Sequence, residues 1–354
     1  MRRLVSVLAL TAVLTALAPL AAPPASARIA RRPVIRCSGC WPTAVAFTPG
    51  GGRMFYVERF SGEIHSYNFN AGTNRVWGRI TGLGTSGEQG LLGIAVDPRW
   101  QSMRRLYVYY TNGSPLENRI AKLRWDDDGT PFRTILVRIR ASSNHNGGAI
   151  HFGPDQLLYA VTGDAGDPSL SQDTDRHPGK VLRLTRNGNV PAGNPFPGEF
   201  AFSYGHRNSF GFTFDPQTGR LWQTENGPEC DDKVNFVRSG RNYGWGPSSA
   251  CPDTTESGPS PVQPEVVWNP VIAPTGATFC DRCGLGPGVR GRLLVGAWLD
   301  GIIRRLTLDS QRNDIVGRRV VFDNASGVLA VETRPGTRGI FFSDRNGIYR
   351  LVRV

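Results

Sequence analysis

The sequence predicts an all-β chain folded as a six-bladed β-propeller with four-stranded antiparallel blades. Three observations carry that expectation: a strand–turn–strand phrase that recurs along the chain, the near-regular spacing of its turn prolines, and the lack of helical periodicity beyond the N-terminal stretch. The phrase joins an apolar residue and a Pro-centred turn to a run of alternating aromatic and β-branched residues.

It reads Ala46-Phe47-Thr48-Pro49 before Met54-Phe55-Tyr56-Val57, then Val96-Asp97-Pro98 before Leu106-Tyr107-Val108-Tyr109. It returns as Phe152-Gly153-Pro154-Asp155 before Leu158-Tyr159-Ala160-Val161, and as Phe214-Asp215-Pro216 before Leu221-Trp222-Gln223-Thr224. Thr333-Arg334-Pro335-Gly336 before Ile340-Phe341-Phe342-Ser343 is the last full copy. Proline pre-sets the turn, and alternation with period two is that of a strand, so each copy is a hairpin. Pro49, Pro98, Pro154 and Pro216 recur at roughly fifty to sixty residues, the length of a four-strand blade. The double gap from Pro216 to Pro335 holds a weaker copy, Arg292–Ala297 before Ile302–Leu306, which brings the units to six. A flat sandwich would need no repeat. The longer segments near 84–90, 141–149, 164–180 and 226–262 are predicted as loops, and propeller loops at one face line the channel mouth where ligands bind.

The N-terminus predicts export. Arg2 and Arg3 precede an apolar run from Leu4 to Leu20, and Ala25-Ser26-Ala27 follows, the order of a secretory signal peptide spanning 1–27. A membrane anchor is the alternative, but Pro19, Pro23 and Pro24 crowd the end of a run that is near the minimum spanning length. Residues 28–354 then form one propeller domain without a membrane span. Their 43 glycines and 26 prolines, counted over the whole chain, suit many turns and few helices.

Net charge is +12, carried mainly by arginines spread evenly along the chain. No basic helix, and no basic run with interleaved aromatics, points to nucleic acid. Six cysteines in an exported chain point to disulfides. Pairing of neighbours is the expectation: Cys37 with Cys40, Cys230 with Cys251, Cys280 with Cys283. The two C-x-x-C pairs stay open to a zinc or redox reading.

Chemistry concentrates at glycine-flanked strand ends. His145, in Asn144-His145-Asn146-Gly147-Gly148, is the one strong candidate base near neutral pH. Asp164, across a hairpin tip in Thr162-Gly163-Asp164, can fix its tautomer. Arg207, in Gly205-His206-Arg207-Asn208, offers a fixed cation for a developing oxyanion. No G-x-S-x-G elbow supports a hydrolase built on the same pair.

Several motifs in order resemble one family. Gly87-Glu88-Gln89-Gly90-Leu91-Leu92-Gly93, the His145 loop with Phe152–Asp155 and Thr162–Asp164, Gly179–Leu184, Gly205–Asn208, and Glu225-Asn226-Gly227-Pro228 through Asp231-Asp232 to Asn242-Tyr243-Gly244-Trp245 are similar to soluble quinoprotein glucose dehydrogenases and the related aldose and sorbosone dehydrogenases. The resemblance implies a secreted, PQQ-dependent sugar oxidoreductase that makes a lactone and passes electrons to an external acceptor. His145 would be the base and Asp164 its orienter. Gln89 and Arg207 would stabilise charge on the quinone oxygen, with Asn208 beside them. The carbonyls of Gly227 and Pro228 would hold Ca2+. The chain departs from the family where PQQ carboxylates are held: Ala297-Trp298-Leu299-Asp300-Gly301 carries an acid in place of a lysine, and Ala325–Ala330 contains no arginine. A non-enzymatic propeller that lacks PQQ and binds carbohydrate or a protein partner is the competing expectation.

Overall fold

The computed structural model describes residues 28–125, 131–336 and 339–354; the signal segment expected at 1–27 lies outside them. The leading strand is β1 (Ile29–Arg36). Blade one is β2 (Pro42–Phe47), β3 (Arg53–Glu58), β4 (Glu63–Asn68) and β5 (Thr73–Arg79). Blade two is β6 (Leu91–Val96), β7 (Arg105–Gly113), β8 (Leu116–Trp125) and β9 (Pro131–Arg140). Blade three is β10 (Ile150–Phe152), β11 (Leu158–Val161), β12 (Lys180–Leu184) and β13 (Ala201–Tyr204). Blade four is β14 (Gly211–Phe214), β15 (Leu221–Glu225), β16 (Asp232–Val237) and β17 (Val266–Trp268). Blade five is β18 (Pro274–Phe279), β19 (Leu293–Ala297), β20 (Ile302–Leu308) and β21 (Ile315–Asp323). Blade six takes β22 (Val331–Thr333), β23 (Ile340–Asp344) and β24 (Gly347–Arg353), and borrows β1 as its outer strand. The six antiparallel sheets form a six-bladed β-propeller. Among the described residues the helices are two of four residues, α1 (Trp100–Met103) and α2 (Ser169–Gln172).

The recurrent phrase is the first hairpin of a blade, the inner strand and its neighbour: β2–β3, β6–β7, β10–β11, β14–β15 and β22–β23. The weaker copy at 292–306 is out of phase with the others. It is the second hairpin of blade five, β19–β20, because the first connection of that blade is lengthened into residues 280–292 and bridged by Cys280–Cys283. The segment 226–262 is not all loop either. It holds β16, whose buried Asp232, Lys233 and Asn235 hide the apolar alternation of a strand.

Each blade packs on both faces, so its second strand is buried almost throughout. In β7 every residue from Leu106 to Thr111 is buried. Phe55, Ile64, Ile94 and Tyr110 pack between blades one and two, and Trp222, Val234, Val295 and Leu306 between blades four and five. All six inner strands start at the same end of the axis. Thr43, Leu92, Ala149, Phe210, Thr275 and Leu329, one from the head of each inner strand, together border a single cleft. The connections into inner strands therefore gather at that face, and the Pro turns lie at the opposite one.

Below the cleft runs a narrow channel lined by Val45, Ile94, His151, Phe212, Ala277 and Glu332. Burial pushes the Glu332 carboxyl up to about 8. Folding then takes up a proton between the ordinary glutamate range, near about 4.3, and about 8, so this group stabilises the fold less as pH rises through that window. Relative to wild type, Glu332→Gln should therefore gain melting temperature from about pH 5 to about pH 8. A difference that stays flat with pH would show that Glu332 is ionised on both sides of folding.

Candidate active site

Five connections at the cleft face bring the site together. The chain enters blade two through residues 80–90, blade three through 141–149 and blade four through 205–210. The second-to-third connections of blades three and four add Asp164 and Asn226–Pro228.

His145 sits on its loop with φ +55, unusual for a residue with a side chain. Its backbone is anchored by Glu88, whose Oε2 accepts the His145 N–H at 2.6 Å and the Asn208 Nδ2–H at 3.0 Å. Asn208 Oδ1 in turn accepts the Gly147 N–H at 3.1 Å. Gly147 has φ +65, and a Cβ there would stand 2.7 Å from Val161 O and from the Thr162 Cα. Only glycine lets the His145 loop lie so close to the strand end that carries Asp164.

The imidazole Nδ1 lies 2.7 Å from Asp164 Oδ1. A carboxylate accepts, so Nδ1 carries the hydrogen and Nε2 keeps its lone pair. Nε2 has no partner among the described residues and is not a buried atom. Asp164 is fully buried, and its other donors are the Gly166 N–H at 2.7 Å and the Trp245 Nε1–H at 2.8 Å. Trp245 arrives from the long excursion between β16 and β17, which folds back beside Tyr204 at Asn242 and is tied to the Gly227 loop by Cys230–Cys251. The connection carrying Asp164 is held from beneath by Lys180. That buried ammonium donates to the carbonyls of Leu170, Ser171 and Pro178 at 2.7, 3.0 and 2.7 Å, and burial pushes it down to about 7.

Arg207 lies over the Trp245 ring, 5.3 Å from its centroid, and NH1 donates to Asn226 O at 3.1 Å and Gly227 O at 2.7 Å. Its Nε is buried without a partner. Burial lowers its pKa, against the pull of Asp164, Glu225 and Glu88. The neighbouring His206 is fully buried, with Nδ1 3.0 Å from Glu225 Oε2, so it positions the loop and meets no ligand.

Of the residues expected at the site, His145, Asp164, Arg207 and Asn208 form one connected network with Gly227. Gln89 departs from expectation. Its Nε2 donates to Ser142 O at 3.0 Å and its Oε1 accepts the Ser86 N–H at 3.1 Å, so the buried carboxamide ties its own loop to the His145 loop. The carboxylate of Glu88 borders the cleft instead. Adjacent residues in a turn face opposite ways, and no periodicity in a loop says which of the two points inward. Sequence reasoning also missed Arg59, Trp41 and Trp298, which wall the cleft of about 320 Å3. The tryptophan rings lie 5.3 Å apart, and Arg59 sits 5.8 Å from the Trp41 centroid with its Nε donating to Gln89 O at 3.0 Å. Asp300 is engaged by Arg304 through both carboxylate oxygens. Of the other arginines, Arg290 and Arg334 lie in first connections, at the opposite face.

The cysteines pair as neighbours, three disulfides with no cysteine left free among the described residues. Among the described residues, one group of His and carboxylate side chains lies within metal-binding distance, Glu58, Glu63 and His65. There His65 Nε2 sits 3.2 and 3.0 Å from the two carboxylates, which a single N–H donor accounts for. No helix of the described residues is long and apolar enough to cross a membrane.

The model of the glucose/sorbosone dehydrogenase family matches residues 40–352. Over 316 residues the chain is 27% identical to the aldose sugar dehydrogenase YliI of Escherichia coli, covering 83% of this chain and 84% of that one. It is 33% identical over 270 residues to an uncharacterised protein of Synechocystis, with 68% of this chain and 64% of that one covered, so it spans just under two thirds of that relative's length. It shares 29% identity over 239 residues with quinoprotein glucose dehydrogenase B of Acinetobacter calcoaceticus, half of whose length it spans. Among solved structures, the PQQ-bound aldose sugar dehydrogenase of Streptomyces coelicolor superimposes with a TM-score of 0.80 at 29% identity, covering 94% of this chain and 100% of that one.

Removing the Glu88 carboxylate strands the His145 N–H and the Asn208 amide. Glu88→Ala should cost about 1–3 kcal/mol in urea unfolding, whereas Glu88→Gln, which keeps an acceptor oxygen, should cost less. Equal stability of Glu88→Ala and wild type would remove Glu88 as the anchor of the His145 loop.

Proposed function

The chain belongs to the glucose/sorbosone dehydrogenase family, and on that premise we propose that it oxidises the anomeric hydroxyl of an aldose to the lactone, with His145 as general base. One observation carries the reading: the 2.7 Å His145–Asp164 pair, which leaves Nε2 unpartnered at the cleft face. The sugar loses two hydrogens, a proton to Nε2 and a hydride to the acceptor, as its C–O bond becomes C=O. Asp164, hydrogen-bonded to His145 Nδ1, stabilises the imidazolium that forms. Arg207 supplies positive charge beside the reacting end, and Asn208 holds the Gly147 backbone in place. Glu88 takes the cleft position assigned to Gln89 on sequence.

PQQ, when bound, supplies the two-electron acceptor for the hydride. The cleft suits a planar polyanion: two tryptophan faces, the Arg59 guanidinium at the wall, and an Asp300 charge already balanced by Arg304. Turnover then needs an external electron acceptor. Calcium enters at the carbonyls of Gly227 and Pro228, but Gly227 O already accepts from Arg207, so ion and guanidinium compete for one acceptor. A carbonyl oxygen has two lone pairs, so a calcium ion bound there would share Gly227 O with the Arg207 guanidinium, whose like charge weakens the site. The three disulfides and the Arg2–Ala27 segment support an extracytoplasmic location.

The second reading is a propeller of the same family that binds carbohydrate or a protein without PQQ. It is favoured by the absence of lysine and arginine from 297–301 and 325–330. Titration of the purified protein with PQQ, read by absorbance and then by dye reduction on adding aldoses, separates the two. Stoichiometric binding with sugar-dependent reduction is expected, and His145→Ala should abolish reduction while PQQ affinity changes little. Absence of binding at high micromolar PQQ would overturn the dehydrogenase reading. For calcium, chelation should lower the melting temperature, and by more in Arg207→Met, where the Gly227 carbonyl is released. No shift in either protein would remove calcium from this site.

A further inference from the structure

We propose that the face opposite the cleft carries a binding site for a polymer of repeated phosphate groups, formed where loop 280–292 meets the third strands of blades five and six. The other full blades make their first connection by a Pro-centred turn; here it is a longer excursion with its base closed by Cys280–Cys283. The loop encloses a cavity of about 300 Å3 bordered by Asp281, Arg282, Gly286, Pro287 and Arg290.

Two further guanidinium groups lean on the same segment. Arg305 NH1, from β20, lies 3.6 Å from where a Cβ on Gly288 would stand, and Arg353 NH1, from β24, lies 3.3 Å from the corresponding point on Gly286. One Gly-Pro-Gly stretch therefore has an arginine of each blade against it. Arg305 also faces Arg319 in register across β20–β21. Like charges directly opposite in a ladder repel. The guanidinium groups of Arg290, Arg305, Arg319 and Arg353 make no hydrogen bond or ion pair with any described residue. The one carboxylate at the cavity, Asp281, sits 3.4 Å from Arg282. Elsewhere on this face Arg312 is tied to Asp215 and Arg334 to Gly51 O.

Guanidinium groups match phosphate oxygens in a forked geometry, and a row of them across two blades matches several anions better than one. No aromatic ring borders the cavity to stack a base, which favours phosphate groups over nucleic acid.

The test is calorimetric titration with inorganic polyphosphate at near-physiological salt. The variant Arg290→Gln/Arg305→Gln/Arg353→Gln is compared with a charge-matched control, Arg75→Gln/Arg124→Gln/Arg133→Gln, three exposed residues of β5, β8 and β9 in blades one and two. The first should weaken binding about ten-fold or more and flatten its salt dependence, and the control should change it by less than about two-fold. Should the triple variant unfold, Arg290→Gln alone, in the exposed loop, must still weaken binding. Equal weakening by both triples, loss of binding in Arg59→Gln at the cleft, or no binding by wild type would overturn the site. Equal discrimination by a uronate polymer would overturn the phosphate assignment.

Discussion

Ring closure is the constraint on which the rest depends. The sixth sheet is completed by β1, paired with β24 from Ile29↔Arg353 to Arg36↔Gly347, so the two ends of the described chain share one blade. An open array of six sheets would leave two blade faces wet and the heads of the inner strands splayed. Closed, the ring sets Thr43, Leu92, Ala149, Phe210, Thr275 and Leu329 around one axis and gives the cleft a floor. The connections into inner strands then have to cross that floor's rim, and the side chains they carry converge.

Loops brought together in this way bury polar groups, and each has to be satisfied. Three carboxylates do most of that. Glu88 holds the His145 and Asn208 loops, Asp164 holds His145 and Trp245, and Glu225 holds His206, Asn235 and the Arg207 backbone. Each joins separate connections, so imidazole placement depends on three blades at once. His145 is kept at positive φ because Glu88 and Gly147 over-determine its backbone from both sides.

Charge is divided between the two ends of the axis. At the cleft, arginines are few and each is tied to carbonyls or an acid: Arg59 to Gln89 O, Arg207 to Gly227 O, Arg304 to Asp300. At the far end, the lengthened loop of blade five gathers several arginines around a single acid, Asp281. An even spread of arginine along the chain becomes an uneven spread in space, because strand register and blade order bring distant residues side by side.

Much was legible in the sequence. Blade number, hairpin phase in five blades and the glycine-flanked loops with His145, Asp164, Arg207 and Asn208 follow from local chemistry: period-two alternation, proline turns, and glycine where backbones must approach. The neighbour pairing of the cysteines is one of fifteen that sequence permits, and only the fold selects it. Tertiary structure alone decided what local chemistry leaves free. In a loop there is no period, so only folding turned Glu88 toward the cleft and Gln89 into its own turn. Buried Asp232 and Lys233 hid β16, since a strand satisfied by distant loops shows no apolar alternation. Trp245 meets Asp164 across 81 positions of chain, and Arg353 meets Gly286 from the chain's end, contacts that exist only because neighbouring blades pack side by side.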